Sequence, residues 1–405
     1  MKLPIRIGNI PKRGIAAVLL TLGVGLLVAV RWPAALENER FAGYARVVLQ
    51  ACAEERYRPA CYDREIPKFL GALSMEEVFE VTRLVQDRDP SYAYCHVLGH
   101  NISAAETARD PAHWQEVVAR CPSGLCSNGC IHGAFQERFR SESLTPEEFA
   151  RALPELTGAC RPRSGWNPTD LEQATCYHAL GHLAMYATAA DTDGSLALCD
   201  SSAGQPQNKN DYRQICYDGV FMQIFQPLEP EDFALVAGRQ PSRETLETFC
   251  GAFSGRRRGS CLSESWPLFR EEIKTPEGVM DFCGREEPIE RPRCYDAMFY
   301  VLTALEFNFD TGRIVNFCSR LPAERARCFA DAASRMIETD YRNIVRSVEL
   351  CHQAAAVSDV CFAELVKFST YNFHAGSPES SRLCGALPEP WRERCFAKGS
   401  SGVSR

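Results

Sequence analysis

The sequence predicts an all-α protein, a right-handed or otherwise superhelical α-solenoid built from disulfide-stapled antiparallel helical hairpins. Three observations carry this prediction: a cysteine rhythm near 33 residues, helix-type apolar spacing within each period, and a chain long enough to stack many units. The chain has 405 residues with 20 Cys and 8 His, 45% hydrophobic and 24% charged. That is ample apolar material for a core and too much for a small scaffold held only by its bridges.

Read from the carboxyl end, the cysteines fall into pairs: Cys384 with Cys395, Cys351 with Cys361, Cys318 with Cys328, Cys283 with Cys294, and Cys250 with Cys261. Members of a pair are 10 or 11 residues apart, and first members recur at 33, 35, 33 and 33 residues. A fixed period of this size is the signature of a repeat array. Four of the second cysteines open similar words, CYDAMFYVL, CFADAASRM, CFAELVKFS and CFAKG. Toward the amino end the spacing loosens, giving Cys199 with Cys216, Cys160 with Cys176 and Cys121 with Cys130, while Cys52 and Cys61 form a cap. Cys95 and Cys126 stand outside the scheme; they are expected to bridge each other, the competing reading being a free thiol or thiolate ligand.

Within a unit the pattern is helical. In residues 339–372, Asp340 or Thr339 is placed to cap a first helix and Ser358 a second, and Ile344, Val348 and Cys351 share one face. The first cysteine then lies near the end of helix one and the second near the start of helix two, so the bridge staples the intervening turn. One hairpin cannot bury its apolar side, but stacked neighbours can. The arrangement resembles tetratricopeptide or Sel1-like repeats in general architecture only, because the small-residue signatures of those families are missing.

The amino terminus sets the compartment. Lys2, Arg6, Lys12 and Arg13 precede an uncharged run at residues 14–30, followed by Arg31 and Trp32. Seventeen residues rise about 25 Å as a helix, at the short limit for a bilayer span. The expected organisation is a cytoplasmic basic segment at 1–13 and an uncleaved signal-anchor at 14–31, a cleaved signal peptide being the alternative. After these come a site-bearing repeat region at 40–225, regular repeats at 226–399 and a flexible tail at 400–405. The bulk of the chain is then periplasmic or extracellular, with the lipid bilayer as a partner through residues 14–31. An even, heavy cysteine load fits that oxidising compartment. Beyond Arg31 the chain carries 40 Lys plus Arg against 52 Asp plus Glu, a net charge of −12, which argues against nucleic acid as a partner.

The chemical signal lies in the histidines. His96 and His100 form HVLGH, His178 and His182 form HALGH, and His132 lies in CIHGAF. An H-x-L-G-H word puts both imidazoles on one helix face at i and i+4, near enough to share an ion, and its glycine lets another segment approach. All five histidines sit near the start of second helices, so stacking would gather them on one inner surface. They are the candidate ligands for a transition metal ion, with copper, zinc and iron all open. Glu137 and Asp218 are the candidate catalytic carboxylates, completing or orienting the shell. Asp218 recurs with Asp63 and Asp296 at one position of the repeat, which equally suits a structural role. Met185, Tyr186, Met222 and Gln223 lie near the words, and a thioether facing the pocket would favour copper. His113, His352 and His374 lack the shared word and are read as surface or packing residues.

Other chemistry lacks its motif. There is no G-x-G-x-x-G after a strand, no Walker loop, no HExxH and no G-x-S-x-G. CSNGCIH is not the CxxCH of covalent haem attachment. NIS at 101–103 is a glycosylation word set against His100. The sequence therefore supports a membrane-tethered metal-binding protein of the cell envelope, with a hydrolytic or oxidative metalloenzyme as its catalytic form. The alternatives are a metal-free acid–base pocket, and a helical-repeat scaffold whose concave face holds a peptide or envelope protein while the histidines serve structure.

Overall fold

Successive helices begin where the sequence supplies caps. Ser74 and Glu77 form a reciprocal capping box, as do Thr169 and Glu172. Asp211, Asp310, Thr275 and Ser377 accept from backbone N–H groups of the turn they open, and proline follows Thr275 and Ser377 at the first helical position. Asp340 caps a short 3₁₀ turn leading into the helix at Ile344. Ser358 differs from expectation: a 3₁₀ turn over Ala355–Val357 feeds directly into the helix, so Ser358 is its first residue and makes no side-chain cap.

A computed structural model describes residues 39–122, 124–140, 158–202, 211–228 and 230–400, with isolated positions between 145 and 154. The expected basic segment 1–13, the anchor 14–31 and tail residues 401–405 lie outside the described residues. Among those described, the protein is helical without a strand, its β-type contacts being the two bridges Leu125 to Asp340 and Arg163 to Trp166. None of the described helices is long and apolar enough to cross a membrane.

In the amino half the helices are α1 (39–51), α2 (Arg58–Glu65), α3 (Met75–Arg88), α4 (His96–Thr107), α5 (Trp114–Ala119), α6 (Gly129–Arg140), α7 (Asp170–Ala187), α8 (Thr192–Ser202) and α9 (Tyr212–Phe225). There follow α10 (Pro230–Leu235), α11 (Leu246–Gly251), α12 (Gly255–Glu264), α13 (Pro276–Cys283), α14 (Arg291–Val301), α15 (Thr311–Ser319), α16 (Arg325–Thr339), α17 (Ile344–Gln353), α18 (Ser358–Asn372), α19 (Pro378–Ala386) and α20 (Trp391–Ser400). All 20 cysteines are bridged. Nine bridges join cysteines 9 to 17 residues apart and tie the two arms of a hairpin. The tenth, Cys95 to Cys126, spans 31 residues and links the start of α4 to the turn before α6, as expected of the two unplaced cysteines. Each crosslink limits the unfolded chain and contributes about 2–4 kcal/mol.

The second helices pack in chain order: α4 on α6, α6 on α7, α7 on α9, α9 on α12, and onward through α14, α16, α18 and α20. Their shared apolar faces supply one continuous core, in which every cysteine of the regular repeats is buried. Ile344, Val348 and Cys351 all face it.

The row also curls back on itself. Helix α18 touches α7, and α16 touches the 3₁₀ turn Cys126–Asn128. The Tyr341 amide donates to the Gly124 carbonyl at 3.1 Å, while Arg342 donates to the Gln86 side chain at 2.7 Å and pairs with Asp87. Half-buried Tyr94, Tyr300, Arg335 and Tyr371 meet along the inner side of this curl, with Tyr94 and Tyr300 hydrogen-bonded to each other.

Candidate metal centre

Two close helix pairs position the five histidines. In the first, α4 carries HVLGH and packs against α6; in the second, α7 carries HALGH and packs against α9. Each partner helix carries, within its first two turns, a cysteine, a polar residue two positions later and then glycine: CIHG at 130–133 and CYDG at 216–219. A methyl group on Gly133 would overlap the carbonyl oxygen of His100, and one on Gly219 would overlap that of His178. Only glycine permits backbones this close, and the closeness lets histidines on one helix reach side chains on the next.

All five imidazoles come together. His100 Nε2 lies 3.1 Å from His96 Nε2, and His182 Nε2 lies 3.2 Å from His178 Nε2. His132 sits between the pairs, its ring centre 5.1 Å from both His96 and His100, 5.4 Å from His178 and 5.7 Å from His182. One nitrogen from each of His96, His100 and His132 falls within 4.8 Å of the other two. These three are buried, as is His182, whereas His178 is half-buried. Tyr94, which the sequence reading did not single out, stacks on His96 at 5.9 Å.

Hydrogen bonds set which nitrogen of each ring points inward. His100 Nδ1 lies 3.0 Å from Gln136 Oε1, and His182 Nδ1 lies 2.7 Å from Gln223 Oε1. With the amides in these orientations, each Nδ1 carries the proton and donates it, leaving the Nε2 lone pair facing the cluster. The carbonyls of Cys126 and Ser127 face His96, and that of Ile215 faces His178, which likewise favours a proton on the outward nitrogen. The two Nε2 atoms of each pair then face each other as acceptors. His96 Nδ1 makes no hydrogen bond, so in the metal-free protein a proton on His96 Nε2 can also bridge to His100 Nε2. A cation between the facing nitrogens would accept both lone pairs. Separations of 3.1 and 3.2 Å subtend an angle of roughly 100° at an ion with bonds of about 2.05 Å, near the tetrahedral value. His132 Nε2 is also buried without a partner.

Electrostatics keeps the rings neutral. Burial pushes the His96 pKa down to about 4, opposed by the nearby carbonyls. His100, His132 and His178 are driven well below the ordinary histidine range, first by burial and then by neighbouring imidazoles, and His182 is lowered by burial. Neutral imidazole is the form that binds metal.

The two carboxylates singled out from the sequence are placed differently. Glu137 is half-buried on α6, five residues beyond His132 and therefore about 140° round the helix from it. Gln136, four residues beyond, shares the face of His132 and makes the contact to His100; its i+4 spacing was the available signal. Asp218 stands where the first pair has His132, but its Oδ2 accepts from Arg293 of α14, and its Oδ1 is buried without a partner. Asp296 makes the analogous pair with Arg327 at 2.7 Å, and Asp63 accepts from the Tyr92 hydroxyl at 2.6 Å. Met222 does face the histidines, with Sδ 3.3 Å from His178 Nε2. Met185 is core, and the Tyr186 hydroxyl donates to Asp232. His113, His352 and His374 are exposed.

No family model, no curated protein and no solved structure matches the chain.

Proposed function

We propose that this is a metal-binding protein of the cell envelope, tethered by its amino-terminal segment, whose histidine cluster holds a transition metal ion. The single observation behind the reading is the convergence of His96, His100 and His132, which bring one nitrogen each within 4.8 Å of the other two, with His132 Nε2 buried and unpartnered. Three imidazoles suit copper, zinc or iron, and the bridged cysteines leave no thiolate to compete. Ten crosslinks fit the oxidising side of a membrane, and the stacked second helices are the turns of a superhelical solenoid that rigidly aligns the two helix pairs. Burial of the trio favours tight retention of an ion over hydrolysis of a large substrate, so a catalytic role would be oxidative or confined to small molecules.

The decisive measurement is metal content per chain, by elemental analysis of the purified, oxidised full chain after mild chelation. At least one equivalent of transition metal is expected, and the double variant His96→Ala/His100→Ala should lose it with helicity and disulfides intact. A metal-free native protein, or full retention by the double variant, would overturn the reading; a metal-free chain that still captured a specific envelope protein would favour the scaffold.

A further inference from the structure

The second helix pair carries a donor set of different chemistry, and we infer that His178, His182 and Met222 form a separate site selective for a soft monovalent cation, copper(I). The inference builds on the metal-binding reading above and adds a second ion with its own ligands. His178 Nε2 is the hub, 3.2 Å from His182 Nε2 and 3.3 Å from Met222 Sδ. Gln223 holds the Nδ1 proton of His182, and the Ile215 carbonyl favours a proton on the outward nitrogen of His178, so that both Nε2 atoms are left as donors to an ion, with His178 Nε2 facing the thioether.

Three features point to copper(I) in place of a divalent ion. A thioether is a soft, weak donor that binds copper(I) and contributes little to harder divalent ions. The donor set is neutral throughout: Asp218, the carboxylate in reach by its place on α9, is committed to Arg293. The work of holding an ion away from water grows with the square of its charge, so neutral donors in a largely buried site favour a single charge. The Asp218–Arg293 pair beside the site carries no net charge and so offers nothing to offset the second charge of a dication.

Exposure separates the two sites. His96, His100 and His132 are buried, whereas His178 and Met222 are half-buried and can be reached from solvent. His132 stacks on His178 with ring planes 12° apart and centres 5.4 Å apart, which places the half-buried site directly beside the buried one.

The test is anaerobic titration of the full chain with copper(I) against a chromogenic chelator, using ascorbate as reductant so that the disulfides survive. It is run in parallel with zinc(II) and with X-ray absorption at the copper edge. Wild type should take two copper(I) per chain and show a sulfur scatterer. Met222→Leu, which keeps an apolar side chain of similar size, should lose that scatterer and weaken one equivalent at least tenfold, leaving zinc uptake unchanged. His96→Ala/His132→Ala should remove the other equivalent and keep the sulfur signal. A wild-type spectrum with nitrogen scatterers alone, or a Met222→Leu titration superimposable on wild type, overturns this inference and leaves the trio standing. A wild type that binds neither metal overturns both.

Discussion

The two H-x-L-G-H helix pairs share one plan but differ in register, Gly133 seating on His100 and Gly219 on His178, and in the residue two positions after the partner helix's cysteine. Both place two imidazoles on one helix, use a glycine to seat that helix on its partner, and set a partner-helix glutamine against the second histidine. Where the first pair has His132, the second has Asp218, and that exchange changes the role of the position. His132 turns an unpartnered nitrogen toward four other imidazoles; Asp218 turns its charge to Arg293 and so ties the second pair to α14. At this place in the cysteine word the side chain sets the chemistry, histidine in one pair and aspartate in the other.

Acid is expected to have the largest effect on that comparison. A histidine whose folded pKa is depressed stays neutral in the native state while the unfolded chain takes up its proton. The unfolded state therefore binds more protons below about pH 6.5, and stability present above that pH is lost as pH falls toward the folded pKa, about 4 for His96. Denaturant melts of metal-free protein between pH 7 and 4 should show a steep loss of midpoint. His96→Ala/His100→Ala should flatten the curve more than His178→Ala/His182→Ala, because both rings of the first pair are buried whereas His178 is half-buried. Equal flattening by the two double variants would mean that burial does not separate the pairs.

Exchanging side chains at the divergent position comes next. Asp218→Ala leaves the Arg293 guanidinium without its partner and should cost about 3 kcal/mol, at the low end for a broken buried pair because Arg293 keeps some exposure. His132→Ala removes a polar atom that has no partner, so metal-free stability should change by about 1 kcal/mol or less while metal at the trio is lost. Chemical denaturation read beside metal stoichiometry checks both. A large stability loss in His132→Ala with metal retained would reverse the assignment.

How far each level could be read from sequence follows the same division. The stapled hairpins were legible because the cysteine spacing states the period, and bridges such as Cys351 to Cys361 fall where a short turn requires them. Convergence of five histidines was legible because their words recur at one place in the repeat. The return contact of Tyr341 with Gly124 was not, since a pairing across more than two hundred residues leaves no local mark in the sequence. Nor was the fate of the carboxylates. Spacing places Asp218 beside the histidines, but the competing claim of Arg293, 75 residues away, arises only in three dimensions. Glu137 misses the cluster by one residue of helical phase, and Gln136 takes the place.

The glutamines give the smallest effect and the sharpest division between one shared site and two. Replacing a group that accepts from a ligand's outer nitrogen lowers metal affinity about 10–100-fold, because the ring loses its fixed tautomer and orientation. Gln136→Leu acts on His100 alone and Gln223→Leu on His182 alone, as the two contacts of 3.0 and 2.7 Å are to different rings. If the pairs are separate sites, each variant weakens one equivalent in competitive titration and leaves the other at its wild-type affinity, and the double variant weakens both independently. If all five imidazoles serve one ion, either variant weakens the same equivalent and the double shows a combined loss on it. Helicity should be unchanged throughout, since Gln223 Nε2 already lacks a partner and Gln136 is half-buried, so a shift in affinity reports ligand orientation and not unfolding.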